Sequence, residues 1–266
     1  MLSLLKETKA IIKRRELLTQ MTLREIKSRY KQSVMGYFWV ILNPFFQILI
    51  MSFVFSTIMR VPTAANANTP YIVFLYVGLL PWSLFANSLT SASGSIVSNA
   101  GLITKVYFPR TILPISTIFA KIIDFMFALT ILIAFMIIYQ VPINLNIIWV
   151  IPIFFIQQIF TLGLSLFLAA INLIYRDIQY LLSLIISLWF YLTPVIYPTD
   201  IVPDKYKLIF KLNPMSVITN AYRQAILAGG VPNLNSLSIA LAVSFLTLFL
   251  GFKYFKKLEK TFSDNV

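Results

Sequence analysis

The chain consists largely of long apolar runs separated by short polar segments. Six of these runs come close to or exceed the roughly 20 residues that an α-helix needs to cross a bilayer. They extend over about residues 36–59, 71–91, 112–139, 147–175, 179–197 and 237–255. The pattern predicts an all-α integral membrane protein, in which residues 36–266 form one domain with six transmembrane helices.

The N-terminal segment, residues 1–35, has a different pattern. Within TLREIKSRYKQSVMGYFW, apolar side chains recur at helical spacing and basic side chains fill the positions between them. The apolar positions are Leu23, Ile26 and Tyr30, and the basic ones are Arg24, Lys27, Arg29 and Lys31. This pattern predicts an amphipathic helix that lies in the inner membrane interface. A helix in solution is the alternative.

The segment of about 39 residues between the fifth and sixth runs is too long for a turn. It contains NPMSVITNAYRQAILAGG, which is partly apolar and helical in character. We predict one or two short re-entrant helices here, because backbone that does not span is tolerated at membrane depth only against protein or water. A plain surface loop is the alternative.

Composition supports the membrane assignment. Hydrophobic residues make up 59% of the 266 residues and charged residues only 12%, whereas soluble domains carry roughly 25% charged residues. The net charge is +13. Since the basic residues lie mainly at the ends of apolar runs, they indicate control of membrane topology and not binding to nucleic acid.

The basic residues also orient the chain. Sixteen of the 22 Lys and Arg residues lie before the first run, in alternate connections or in the C-terminal tail, and five lie in the other set. The positive-inside rule therefore predicts that both termini are cytoplasmic. The exceptions lie mainly between the fifth and sixth runs, at Lys205, Lys207, Lys211 and Arg223.

Catalytic groups are few. The chain has no Cys, no His and nine acidic residues, of which only Asp200 and Asp204 are near each other between the runs. No G-x-x-x-x-G-K-[ST] loop occurs. We therefore expect neither a metal, a cofactor nor an enzymatic activity in this chain.

One ionisable pair, Lys121 and Asp124, lies inside the third run, three residues apart and so on one helix face. A charge inside a bilayer is costly, so pairing is expected. The pair is predicted to be structural. The alternative is an ion relay in a secondary carrier.

Polar and aromatic side chains recur every four residues in two runs, and we predict that they line a channel. Lipid offers no partner for amide side chains, so these faces should turn towards protein or a lumen. The predicted lining residues are Trp39, Asn43 and Gln47 in the first run and Gln179, Ser183, Ser187, Trp189, Tyr191 and Tyr197 in the fifth. Helix packing and an interfacial aromatic belt are the alternatives.

Four stretches resemble one known family. They are REIKSRYKQSVMGYFWVILNP (24–44), KVYFPRTILP (105–114), NLIYRDIQYLLSLIISLWFYLTPVIYP (172–198) and LNPMSVITNAYRQAIL (212–227). Together they resemble the transmembrane subunit of type-two ABC exporters of polysaccharides such as O-antigen, capsule and teichoic acid.

The resemblance implies a homodimer in the bacterial plasma membrane with two cytoplasmic ATPase subunits, which hold ATP and Mg²⁺, and a lipid-linked polysaccharide as cargo. It implies that Arg24, Lys27, Arg29 and Tyr30 belong to the interface helix. It further implies that a cytoplasmic loop docks on the ATPase through Leu102, Lys105, Val106, Tyr107, Phe108 and Arg110, with Lys105 and Arg110 as surface contacts.

Three alternatives to polysaccharide export stay open at this point. The first is an exporter of another amphiphile, a lipid or a drug, from the same superfamily. The second is a membrane-embedded enzyme that acts on lipid-linked sugars. The third is an ion-coupled carrier that uses Lys121 and Asp124.

Overall fold

A computed structural model describes residues 2–30, 35–61 and 69–262, and within these ranges every regular element is a helix. Lys31, one of the predicted basic positions, lies outside the described residues, as does the side chain of Tyr30. The α-helices in the described ranges are α1 (Leu2–Lys13), α2 (Arg15–Tyr30), α3 (Trp39–Ser52), α4 (Tyr71–Ser93), α5 (Ala100–Ile103), α6 (Ile112–Ile138), α7 (Val150–Ile174), α8 (Ile178–Tyr191), α9 (Lys207–Leu212), α10 (Pro214–Ile226) and α11 (Leu234–Leu258).

Five helical stretches among the described residues are long and apolar enough to cross a membrane, and they match five of the six predicted runs. They are Trp39–Ile58, which is α3 with a π-helical extension, Tyr71–Ser93, Ile112–Ile138, Leu145–Ile174, which is α7 with a preceding 3-10 turn, and Leu234–Leu258. The fold is therefore that of an all-helical, multi-pass membrane protein.

The fifth predicted run is shorter as a helix than its sequence indicates. A helix was expected over residues 179–197, but α8 has 14 residues, about 21 Å, and ends at Tyr191. Pro194 ends it, because a proline lacks the N–H that a helix needs and disfavours helical backbone in the residue before it. Distant side chains then bind carbonyls near the break: Asn213 donates to Leu192 and Arg223 donates to Pro194.

α4 is the central helix of the bundle, since 18 of its 23 residues are buried. It runs parallel to α7, whose Gln157 donates to the Pro81 carbonyl and whose Asn172 donates to the Ser93 carbonyl. We call the end of the bundle near Ser93 the basal end and the end near Tyr71 the apical end.

α11 runs parallel to α7 and lies very close to it at two glycines. A Cβ on Gly163 would lie 2.5 Å from the Leu248 nitrogen, and a Cβ on Gly251 would meet the Gly163 carbonyl. Further along, the rings of Phe167 and Tyr254 are 5.0 Å apart. Because α7 and α11 run in the same direction, the chain between them must return from the basal to the apical end.

Residues 179–196 make this return along α4. Gln179 lies beside Gly94 at the basal end, and the ring centroid of Trp189 lies 6.5 Å from that of Trp82 midway. At the apical end, the Tyr71 hydroxyl donates to the Ile196 carbonyl over 2.6 Å. α8 and the non-helical residues after it therefore follow the full length of α4.

α9 and α10 form a hairpin that enters the apical half of the bundle. Its turn is at Asn213, which caps α10 and accepts a hydrogen bond from the indole of Trp189, and α10 leads back to Gly229 beside Asn146. Most of α10 is buried. α10 is thus a packed helix and not a plain surface loop, whereas none of the residues of α9 is buried.

α2 packs along α6 through a face that differs from the predicted one. Thr22 and Ile26 are buried, whereas Leu23, assigned to the apolar face, is 40% exposed. The basic Arg29 turns inward to Asp124 of α6. Hydrophobic spacing alone did not indicate this face, because a part-buried carboxylate on α6 attracts the cation.

Candidate functional site

Two adjoining cavities between α3, α4, α6 and α8 form one open groove, with volumes of about 240 and 350 Å³. The cavities share Gln47, Ser83 and Asn87. We call this feature the polar groove, and the polar and aromatic residues in its wall include Trp39, Asn43, Gln47, Ser83, Asn87, Lys121, Asp124, Ser187 and Tyr191. A hydroxyl- and amide-bearing wall of this kind suits a polar ligand with many hydroxyl groups.

The predicted stripe on α3 lies in this wall. Trp39, Asn43 and Gln47 are four residues apart, all are exposed, and all three line the groove. Their spacing places them on one face, which turns away from the packed core.

The predicted stripe on α8 is also exposed along its whole length. Ser187 and Tyr191 line the groove, and Gln179 and Ser183 continue the same face towards the basal end. The hydroxyls of Ser183 and Ser187 donate to backbone carbonyls of α8 itself, so each hydroxyl oxygen still has lone pairs for a ligand.

Two aromatic residues from the predicted lining set lie elsewhere. The ring of Trp189 packs against Phe85 and Phe160, with centroids 5.2 and 6.1 Å apart, and its indole N–H donates to Asn213. Tyr197 donates its hydroxyl proton to the Tyr191 carbonyl. A half-buried indole still needs a hydrogen-bond partner, and the hairpin supplies it on the side away from the groove.

Sequence reasoning missed the contribution of α4. Ser83 and Asn87 line both cavities of the groove. The signal was present, because these residues are four apart like the stripes on the other two helices, but the surrounding aromatic and apolar residues obscured it.

The basal end of the groove carries an ionic cluster. The predicted pair is present, with Lys121 Nζ 3.6 Å from Asp124 Oδ2, but Asp124 has a nearer partner in Arg29, at 2.6 Å. Arg29 also lies 3.1 Å from Glu25. Two cations and two carboxylates therefore balance each other between α2 and α6. Their side chains are between 17% and 29% exposed.

The loop between α4 and α6 projects three of its predicted docking residues. Lys105, Val106 and Tyr107 are exposed, and Tyr107 reaches 92% exposure. Phe108 is buried. Leu102 is half-buried against an apolar cluster at the basal end that includes Phe252 and Phe255 of α11. We call residues 104–107 the basal tip.

Arg110 is not one of the projecting residues, although it was predicted as a surface contact. Its guanidinium donates to the Glu259 carbonyl and lies over the ring of Phe262 at 5.8 Å. It therefore attaches the loop to the end of α11, a contact between residues 149 positions apart that no local pattern indicates.

Further contacts join the basal tip and the start of α6 to the N-terminal helices and to α11. Arg14 donates to the Tyr107 carbonyl over 2.8 Å, and Thr111 donates to Glu7 over 2.7 Å. Glu7 also pairs with Lys256 of α11 at 2.8 Å. A force on the tip would therefore be transmitted to α1, α6 and α11 together.

Comparisons with known proteins agree on one family. A family model described as ABC-2 type transporter matches residues 16–227. An O-antigen export system permease protein of Klebsiella pneumoniae is 36% identical over 250 residues, 94% of each chain. One from Myxococcus xanthus is 32% identical over 256 residues, covering 95% of this chain and 96% of the relative. A polysialic acid transport protein of Escherichia coli is 25% identical over 246 residues, covering 90% and 92%.

Proposed function

Because the chain belongs to the ABC-2 type transporter family, we propose that it is the membrane permease subunit of an ATP-driven exporter, and that its cargo is a lipid-linked cell-surface polysaccharide. The observation that carries the proposal is the similarity to O-antigen export permeases along 94% of the chain. ATP hydrolysis belongs to a separate ATPase subunit, and the permease itself performs no reaction.

The polar groove supports a saccharide cargo. Its wall combines the amides of Asn43, Gln47 and Asn87 with the hydroxyl of Ser187 and the rings of Trp39 and Tyr191. Amides and hydroxyls exchange hydrogen bonds with sugar hydroxyls, and aromatic faces pack on the apolar C–H faces of sugar rings. A lipid or drug cargo would need a more apolar wall.

We assign six crossings, with α8 and the residues up to Ile196 as the fifth. This segment follows α4 from the basal to the apical end, and the carbonyls near its break are bound by protein donors, as membrane depth requires. The excess of basic residues at the basal end supports a cytoplasmic position for that end and for both termini, and we assign the chain to a bacterial plasma membrane. The α9–α10 hairpin is then re-entrant from the outside.

The open side of the groove supports a homodimer. α3 and α8 are the least covered of the long or apolar helices, and among the residues of α8 only Leu182 is buried. A second copy packed on these helices around a two-fold axis would close two grooves into one conduit.

The proposal is tested by reconstitution in lipid vesicles. The chain together with its ATPase subunit should move a lipid-linked glycan across the membrane when ATP is added, and the chain alone should neither hydrolyse ATP nor move the glycan. Glycan movement by the chain alone, or none by the complete complex, would contradict the assignment.

The basal tip is the proposed ATPase contact, and a charge reversal tests it. Lys105→Glu should lower glycan-dependent ATP hydrolysis of the complex several-fold, because the exposed cation would face its partner with the wrong sign. Lys205→Glu, the same reversal at the apical end, is the matched control. Equal activity of both variants at equal expression would remove the docking role from Lys105.

A further inference from the structure

A second polar cavity lies at the apical end, apart from the polar groove. It has two adjoining lobes of about 260 and 250 Å³, which share Thr199, Asp200, Asn220 and Gln224. The first lobe lies among α9, α10 and the beginning of α11, and the second extends to Phe74 of α4. We call the two lobes together the apical cavity.

The apical cavity contains a buried hydroxyl that has no partner. Ser216 is 3% exposed and lines the first lobe, and its Oγ has no hydrogen-bond partner among the described residues. Leaving a buried polar group unpaired costs free energy. A ligand with a hydroxyl group in the cavity would satisfy it.

Other groups in the first lobe complement a sugar. Gln224 accepts a hydrogen bond from the Asn233 backbone through its oxygen, which directs its amide oxygen to the protein and leaves the NH₂ group as a donor. Asn220 adds a second amide, and Phe210 adds a half-buried ring. The first lobe thus combines hydrogen-bond donors and acceptors with one aromatic ring, as the wall of the polar groove does.

The charge of the cavity wall is positive. Lys207, Lys211 and Arg223 line its lobes, against Asp200 as the acidic group. Lys207 is 2.6 Å from Asp204, which lowers the pKa of that carboxyl below its ordinary value. Lys211 makes no ion pair within the described residues, although it is exposed in the cavity.

The cavity adjoins the end of the polar groove. Tyr191 lines the groove, and its carbonyl accepts a hydrogen bond from Tyr197. The ring of Tyr197 in turn packs on Phe210, which lines the apical cavity, with centroids 6.4 Å apart. The packed pair Tyr197 and Phe210 therefore links the walls of the two sites.

We propose that the apical cavity binds one anionic sugar unit of the glycan as it leaves the groove. Lys211 pairs with the carboxylate or phosphate of the sugar, Ser216, Asn220 and Gln224 bind its hydroxyls, and Phe210 packs on its ring. The inference rests on the proposed function, because it assumes a glycan cargo. It also gives a role to Lys211, one of the lysines that break the charge asymmetry of the chain on the apical side.

The test measures binding directly, on the full chain in nanodiscs of phosphatidylcholine. The probes are a β-1,4-linked tetramer of glucuronic acid and its neutral counterpart, the tetramer of glucose, which differ only at the carboxylates. Saturation-transfer NMR should detect the acidic tetramer, with an affinity about tenfold above that of the neutral one, as a charge-assisted hydrogen bond implies. Equal affinities would overturn the anionic specificity.

Variants locate the site. Lys211→Gln should weaken binding of the acidic tetramer about tenfold, and Lys205→Gln, a neighbouring cation whose ammonium lies over Tyr206, should leave it unchanged. Ser216→Ala should weaken binding about threefold without lowering the melting temperature, because the hydroxyl it removes has no protein partner. Unchanged binding in Lys211→Gln and Ser216→Ala would exclude this cavity.

Two further experiments are needed. One distinguishes a sugar from other occupants of the cavity, and the other distinguishes failure of the subsite from failure of the proposed function. Competition by inorganic phosphate alone at similar affinity, or loss of binding when phosphatidylglycerol is added to the nanodiscs, would identify a simple anion or a lipid headgroup as the occupant and overturn the proposal. Export by the reconstituted complex without tetramer binding refutes only the subsite, whereas failure of export refutes the proposed function.

Discussion

At the scale of single residues, Arg223 is the most constrained side chain. It is 6% exposed, and its terminal nitrogens donate to backbone carbonyls of two different segments, Phe74 of α4 and Pro194, Val195 and Tyr197 after α8. Its guanidinium also lies 3.7 Å from the ring centroid of Phe74. Arg223 therefore holds the hairpin, the broken end of α8 and α4 together.

We expect Arg223→Lys to lower the stability of the protein by about 3 kcal/mol, since one ammonium cannot replace a planar fork that reaches several carbonyls. Thermal unfolding in detergent measures the loss, and Arg176→Lys, at an exposed position, is the control. Gly78→Ala should act in the same direction, because its Cβ would lie 2.6 Å from Arg223 Nη2. A normal melting temperature for both variants would remove the anchoring role.

Substitution of Asp124 can distinguish a structural ion cluster from an ion relay. Asp124 faces Arg29 and Lys121 at once, so Asp124→Asn removes the carboxylate that Lys121 pairs with and leaves Arg29 with Glu25 alone. We expect a loss of about 3 kcal/mol, partly recovered when Arg29→Met is added, because charges are then removed in pairs. Full stability with abolished transport would instead favour a relay.

At the scale of helices, the crossing of α7 and α11 depends on the absence of side chains. Gly163 and Gly251 bring the two backbones into contact, as small residues do in membrane helix pairs. The packing energy in such a crossing comes from close backbone approach, since lipid gives no hydrophobic driving force between helices.

Gly163→Ala should therefore force α7 and α11 apart and cost about 1–3 kcal/mol by overpacking. The matched control is Gly101→Ala, where an added Cβ meets no atom within 4 Å. Comparing the melting temperatures of the two variants measures the difference. A Gly163→Ala protein as stable as Gly101→Ala would mean that the helices tolerate a wider spacing.

At the scale of the whole molecule, the two sides of the bundle differ in coverage. Within the most apolar 18 residues of each helix, 83% of the residues of α4 are buried but only 11% of those of the α3 stretch. α11 lies on the far side of α7. The open groove and the exposed α3 and α8 thus lie on the same side, which is where a two-fold partner would pack.

Spin labels can test this arrangement, because the chain has no native cysteine. In the proposed dimer, labels on Ser187→Cys in the groove should be closer to each other across the two copies than labels on Leu246→Cys, an exposed position of α11. Pulsed dipolar spectroscopy gives both distances. The reverse order, or no dipolar coupling between copies, would contradict a dimer that closes the groove.

The sequence determined the features that depend on local pattern. Five long apolar runs became five long helices, and the four-residue stripes on α3 and α8 became exposed polar faces, because hydropathy and helical period act within one element. The tertiary structure decided what depends on contacts between distant residues: the pairing of Arg29 with Asp124, the attachment of Arg110 to the end of α11, the hydrogen-bonding of the break after α8 and the packing of Trp189 against Phe85 and Phe160. Each of these is set by which helices meet, and a pattern along one helix carries no information about its neighbours.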